Sequence, residues 1–290
     1  MMAISKKMMN IRALAEQMNN LSCPLCSLPV MLQDESRIVC EKNHSFDLSK
    51  QGYVNLAPQA HTTKYDRGLF EARKVMMTSG FFQPVLEKLV ELIDSCMVGI
   101  EFPQILDAGC GEGSHLAYLT SHIKHKIAGV GIDLAKEGIL AASKDYPGHS
   151  WLVADLANCP FQQASFDVVL NVLSPANYKE FTRILKEDGL FIKIVPENDY
   201  LKQLREIFYE DVVKEKEGNP IESVSAYFTN IRTESVTYDF PLNAFLLENL
   251  IRMTPLTWGA SEEKIASALT SEIPFVTIDF TIIIGTNTSV

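Results

Sequence analysis

The stretch Gln104-Ile105-Leu106-Asp107-Ala108-Gly109-Cys110-Gly111-Glu112-Gly113-Ser114 constrains the fold more than any other part of the chain. A short apolar strand pattern runs into three glycines spaced two apart, and a helical pattern over Leu116–Ile123 follows. Glycine tolerates positive φ and lets the backbone approach a ligand, while the N–H groups of a helix start face the same space. The spacing is G-x-G-x-G, so Ser114 stands where a dinucleotide fingerprint would place its third glycine. Asp107 and Glu112 make the loop negative, which is a poor cradle for phosphate and suits a cationic cofactor such as a sulfonium.

The rest of the chain after residue 100 continues this rhythm. Gln104–Asp107, Ala128–Asp133, Ser150–Ala154, Phe166–Asn171 and Gly189–Val195 read as strands, with helices over Leu116–Ile123, Lys136–Asp145 and Tyr178–Leu185 between them. Such alternation predicts an α/β fold with a parallel sheet and helices on both faces. Phe275–Ile284 reads as a long final strand with no crossover helix after it. Asp133 ends the second strand, 24 residues beyond Gly109, where a carboxylate can accept from both ribose hydroxyls of a nucleoside. Asp155 ends the third, in reach of an adenine amino group. Either aspartate taken alone reads better as a helix cap, and the two together at these strand ends favour the ligand reading.

A second constellation lies near the N-terminus: Cys23, Cys26, Cys40 and His44, spaced C-x2-C-x13-C-x3-H. Three thiolates and one imidazole suit tetrahedral Zn²⁺, and four protein ligands leave no open position, so the metal is expected to be structural. Around it, residues 21–56 carry only short strand-like pieces, Ile38–Val39 and Tyr53–Leu56, as in a small module that needs a metal staple. Cys96, Cys110 and Cys159 read as structural. Residues 1–20 form either a short amphipathic helix or a leader extension, and 57–66 a polar linker. Helical spacing holds from about 68 to 98 with a break at Gly80–Pro84, and the segment 197–240 shows no motif.

Composition limits the function classes. Net charge is −10, unlike a general nucleic-acid binder, although residues 1–75 hold ten basic against seven acidic side chains. No run of about 18 apolar residues predicts a membrane span, and no apolar stretch after Lys6 and Lys7 predicts a secretory signal, so a cytoplasmic protein is expected.

The chain resembles the bacterial 23S rRNA guanine-N1 methyltransferases, within the class I S-adenosylmethionine-dependent methyltransferases. The resemblance rests on CPLC with its C-x3-H partner and on Phe46-Asp47-Leu48-Ser49-Lys50-Gln51-Gly52-Tyr53-Val54-Asn55-Leu56. It also rests on Glu71-Ala72-Arg73, Gly80-Phe81-Phe82-Gln83-Pro84, Ser174-Pro175, Arg183-Ile184-Leu185-Lys186 and Met253-Thr254-Pro255-Leu256-Thr257-Trp258, and covers roughly 21–290. It implies a Rossmann-like, mostly parallel seven-stranded sheet behind a zinc module, laid out as an extension (1–20), zinc module (21–60), linker and helical region (61–100) and methyltransferase domain (101–290). It implies zinc on Cys23, Cys26, Cys40 and His44. S-adenosylmethionine would sit among Asp107, Gly109, Gly111, Gly113, Ser114, His115, Asp133, Leu134, Asp155, Leu156 and Asn171. Asn171, Ser174 and Pro175 occupy the place where methyltransferases position the acceptor, and each also fits a plain β–α turn. The absence of NPPY there weighs against an exocyclic adenine amine and is compatible with a ring nitrogen.

The implied substrate is a guanine in a 23S rRNA hairpin loop, unstacked to reach the cofactor. No residue in 171–178 is an obvious acceptor for the N1 proton. Lys64, Arg67, Arg73 and Lys74 are candidates for phosphate contacts, or equally a solvated helix face. An acidic RNA enzyme predicts local, salt-dependent contacts and dimerisation as a way to concentrate them. Two other readings stay open: a methyltransferase for a small molecule or protein, and a non-catalytic RNA-binding relative.

Overall fold

The computed structural model describes residues 4–59, 64–209 and 219–287. Part of the expected linker (60–63) and the centre of the motif-free segment (210–218) lie outside the described residues.

Ser5 caps the first helix by accepting from the Met8 N–H, and α1 (Lys6–Glu16) turns Asn10, Ile11 and Leu14 inward. Strands β1 (Val30–Gln33), β2 (Arg37–Cys40) and β3 (Ser45–Asp47) form an antiparallel sheet in which Val30 faces Cys40 and Arg37 faces Asp47. The chain then passes through β4 (Val54–Asn55) into α2 (Arg67–Thr78), capped by Asp66, and α3 (Gln83–Cys96), which has Pro84 in its first turn. The alternating core follows as β5 (Gln104–Ala108), α4 (Ser114–His122), β6 (Ala128–Asp133), α5 (Lys136–Asp145), β7 (Ser150–Val153), β8 (Phe166–Val172), α6 (Tyr178–Ile184) and β9 (Leu185–Pro196). The C-terminal third adds α7 (Lys202–Phe208), α8 (Pro220–Ser225), β10 (Asn230–Pro241), α9 (Ala244–Met253), α10 (Glu262–Thr270) and β11 (Phe275–Thr286).

One large sheet runs in the order β10-β11-β9-β8-β5-β6-β7-β4. β11 is antiparallel to both of its neighbours, and all the other pairings are parallel. Parallel strands covered on both faces read as apolar runs, and alternate residues of each strand supply two cores. Ile105, Val168 and Leu170 join one core with α3, α4 and α9, while Leu106, Val169 and Phe191 join the other with α6 and the N-terminal module.

The large sheet has eight strands where seven are expected. The eighth, β4, comes from within residues 21–60: Val54 and Asn55 pair with Leu152 and Val153. The strand-like piece expected at Tyr53–Leu56 contains β4, with no sign in the sequence of the sheet it joins. The free edge of β7 supplies its pairing partner. Strand β10, from the motif-free segment, pairs along its whole length with β11, from Asn230 opposite Thr286 to Pro241 opposite Phe275. As an edge strand with one half-covered face it carries mainly polar residues, which hid it from a search for apolar runs.

Helix α1 is no free leader. The buried Asn10 amide donates to the Gln51 carbonyl (2.8 Å) and the Ser143 carbonyl (2.9 Å), and its oxygen accepts from the Gly148 N–H (2.9 Å). One side chain thus ties the first helix, the end of the N-terminal module and α5. Asn10→Ala leaves the buried Ser143 carbonyl and two more accessible backbone groups without this partner and is expected to cost about 2 kcal/mol, read as a lowered urea midpoint with an unchanged slope.

Candidate active site and metal centre

The four N-terminal ligand atoms lie within 4.8 Å of one another. Cys26 Sγ is 3.7 Å from Cys40 Sγ, and His44 Nδ1 is 3.4 Å from Cys23 Sγ and 3.5 Å from Cys40 Sγ. Ligands at about 2.3 Å (S) and 2.0 Å (N) from a tetrahedral centre are separated by close to these distances, so the set fits Zn²⁺. The loops are pre-shaped for it: Ser27 N–H donates to the Cys23 carbonyl and Asn43 N–H to the Cys40 carbonyl. Ser22 N–H donating to the Pro160 carbonyl (3.0 Å) fastens this module to the large sheet.

At the C-terminal edge of β5, Gly109 and Cys110 N–H donate to the Ile132 carbonyl, and Gly111 N–H donates to Asp133 Oδ2 (2.9 Å). Asp133 Oδ1 accepts from Ala135 N–H (2.7 Å), so this carboxylate fastens the glycine loop and the start of α5 together. Gly109 has φ +86, and a Cβ there would collide with the Ser174 hydroxyl. That missing side chain lets the loop after β8 close over the glycines. Leu173, in that loop, holds φ +50, a strained setting for a leucine of the kind that gathers at functional sites.

A cavity of 620 Å³ opens there, lined by Gly109, Gly111, Asp133 and Leu134 on one side and by Asp155, Leu156, Ser174 and Pro175 on the other. Its size suits a nucleoside-containing cofactor. Asp155 Oδ1 accepts from Ala157 N–H (2.8 Å) in a local turn. A second cavity of 370 Å³ shares Tyr65, Arg73, Leu173 and Ser174 with the first and is closed by Tyr200 and by Met253–Leu256. Two spaces joined at Ser174 are what a transfer between a cofactor and an acceptor requires.

Five of the residues expected at the cofactor do not line either cavity. Gly113 (φ +82) is packed on Trp151, whose ring a Cβ would strike. Ser114 is buried and donates to Glu112, and His115 stands edge-on to Phe82 at 4.8 Å, its imidazole kept neutral by burial. Both lie in the first turn of α4, whose packing face points into the core. Asn171 is fully buried: it donates to the Ala108 and Pro175 carbonyls (2.8 and 3.1 Å) and accepts from Lys193 Nζ (2.6 Å), so it braces the loop. Asp107 lies beneath the glycines with Oδ2 unpartnered, and burial pushes its pKa up to about 7, Arg73 opposing and Glu112 and Asp133 adding. A buried, orphaned carboxylate oxygen behind the glycine loop fits a cationic group on the loop's other side.

Residues 21–64 match the family model described as "RlmA, N-terminal", a zinc ribbon, and 105–189 match the model described as "Methyltransferase domain". YxjB of Bacillus subtilis (strain 168), named for 23S rRNA (guanine-N(1)-)-methyltransferase activity, is 40% identical over 269 residues, covering 91% of this chain and 95% of the relative. The 23S rRNA (guanine(748)-N(1))-methyltransferase of Streptomyces fradiae is 28% identical over 258 residues, 88% of this chain and 91% of that one. The chain belongs to the 23S rRNA (guanine-N1)-methyltransferase family.

For a member of this family, the four basic residues expected at RNA phosphate are placed unexpectedly. Arg73 faces inward: its Nε is 3.2 Å from Glu112 Oε2, and its guanidinium lies over Gly111 between the two cavities. Arg67 pairs with Glu71 (2.8 Å) and Lys74 with Asp145 (2.7 Å). Lys64 sits 5.7 Å above the Trp258 ring. Helix α2 therefore builds the pocket wall with one face and neutralises its cations with nearby carboxylates on the other. Sequence reasoning missed Tyr65, Tyr200 and Lys193 at the second cavity. The motif Met253-Thr254-Pro255-Leu256 closes the second cavity, a role that its packing alone reveals.

Proposed function

We propose that this chain transfers a methyl group from S-adenosylmethionine to N1 of a guanine in a 23S rRNA hairpin loop. The observation that carries the reading is the meeting of two cavities at Leu173 and Ser174, with the carboxylates Asp133 and Asp155 on the larger one only. Family membership supports the RNA substrate. Bound in the larger cavity, the cofactor supplies a methyl group already activated on a sulfonium.

The residues of the chain then hold and align. Asp133 accepts from the ribose hydroxyls, Asp155 from the adenine amino group, and Asp107 compensates positive charge from below. Ser174 and Pro175 form the rim past which the guanine enters, and Asn171 positions that rim from beneath. Cys23, Cys26, Cys40 and His44 hold a structural zinc ion, whose module presents the basic N-terminal part to RNA. The division at about residues 20, 60 and 100 belongs to the same reading, with 23S rRNA as partner, the cytoplasm as location and a homodimer as the assembly that doubles the basic surface. Among the described residues no helix is long and apolar enough to cross a membrane.

The test is primer extension on unmodified 23S rRNA incubated with protein and S-adenosylmethionine. N1 methylation blocks the pairing edge of guanine, so a single cofactor-dependent stop in a hairpin loop is expected. Absence of a stop, with cofactor binding measured on the same sample, would reject the N1-guanine reading and turn attention to smaller acceptors.

A further inference from the structure

Lys193 is a buried cation on the wall of the second cavity. It sits on β9 between Asn171 of β8 and Ile283 of β11, is 8% exposed, and lines the second cavity. Its Nζ donates to Asn171 Oδ1 (2.6 Å) and to the Ser174 carbonyl (3.0 Å). An ammonium has three N–H groups, so one remains for the cavity.

No carboxylate within 4.0 Å pairs with it among the described residues, and none lines the second cavity. The ionisable groups on that wall are Tyr65, Arg73 and Tyr200, and Arg73 is already opposite Glu112. On α6, which packs on the same strand, Glu180 and Arg183 are paired with each other (2.7 Å). Burial without a counter-ion pushes the Lys193 pKa down to about 8. It is thus still mainly charged at neutral pH, and a developing negative charge nearby would relieve its desolvation.

We propose that Lys193 is a catalytic residue that donates its third N–H to O6 of the target guanine. The inference rests on the proposed guanine-N1 reaction. When N1 loses its proton, the charge left on the base resides largely on O6, where the ammonium meets it. N1 then bonds to the methyl carbon, the carbon–sulfur bond breaks with its electron pair passing to sulfur, and the N1 proton leaves to water at the cavity mouth. Asn171 and the Ser174 carbonyl are positioning groups: they aim the ammonium and tie it to the rim.

The sign of the pH dependence follows. Ionisation of N1 favours higher pH, while the ammonium is lost as pH rises through about 8, so the wild-type rate rises and then falls. Lys193→Met is expected to lower kcat about 100-fold and to abolish the falling limb. Lys193→Arg keeps a cation at all these pH values, so it should recover part of the rate, also without the falling limb.

A binding measurement separates this from mere bracing of the loop. Using the hairpin located by primer extension and S-adenosylhomocysteine in place of the methyl donor, wild-type protein should bind the guanine hairpin about tenfold tighter than one with 2-aminopurine at the target. Lys193→Met should bind the two alike. Superimposable pH profiles for wild type and Lys193→Met, or an undiminished preference for guanine in the variant, would overturn the role of Lys193. Absence of any N1 stop with wild-type enzyme would instead overturn the reaction on which it depends.

Discussion

Cys26→Ser is expected to strip the chain of zinc and to unfold residues 21–47 ahead of the large sheet, which β4 joins. Purified wild-type protein should carry about one zinc per chain by elemental analysis, and the variant essentially none. The physical reason is the size of the module. Strands β1, β2 and β3 are three or four residues long, and Val30, Ile38 and Cys40 are the apolar groups they bury. Such a core does not offset the chain entropy of its residues, and a structural zinc ion contributes on the order of 10 kcal/mol in isolated modules. Two consequences can be told apart. The cofactor cavity draws no residue from 21–59, so affinity for S-adenosylmethionine should change less than threefold. Methylation of rRNA should fall at least 100-fold, because the surface proposed to engage RNA is lost. A zinc-free wild-type protein, or a variant with wild-type unfolding, would refute the metal assignment.

Asp133→Ala should weaken cofactor binding about 100-fold, measured by titration calorimetry. Two hydrogen bonds from ribose hydroxyls to a buried carboxylate are each worth about 1.5–3 kcal/mol, so loss of both exceeds that factor unless water substitutes. The carboxylate also accepts from Gly111 and Ala135, and removing it frees the glycine loop. Asp133→Asn keeps the size and one acceptor oxygen, so it should be intermediate. If Asp133→Ala binds the cofactor as wild type does, Asp133 serves the loop alone and the nucleoside lies elsewhere.

Both of these sites were legible in the chain because each is compact in sequence. The spacing Cys23, Cys26, Cys40, His44 is dictated by a turn and a hairpin, and the glycines from 109 to 113 by the strand-to-helix turn they must make. The alternation of strands and helices from 104 to 195 was legible for the same reason, since burial on both faces forces continuous apolar runs. Ser114, His115 and Asn171 show where adjacency misleads. They lie within four positions of the cavity-lining Gly111 and Val172 in the chain, yet the helical turn and the pleat point their side chains into the core.

The sequence by itself determined the α/β class, the zinc ligand set and the location of the cofactor loop, because these depend on local backbone geometry and on the chemistry of residues a few positions apart. Only the tertiary structure decided that Arg73 lies over Gly111 between the two cavities, that β4 extends the sheet, and that Lys193 reaches the second cavity through Asn171 and Ser174. The reason is physical: a cation acquires its role from the groups packed around it, and for Arg73 and Lys193 those groups come from strands and loops about 20 to 40 residues away, brought together by burial of the two cores.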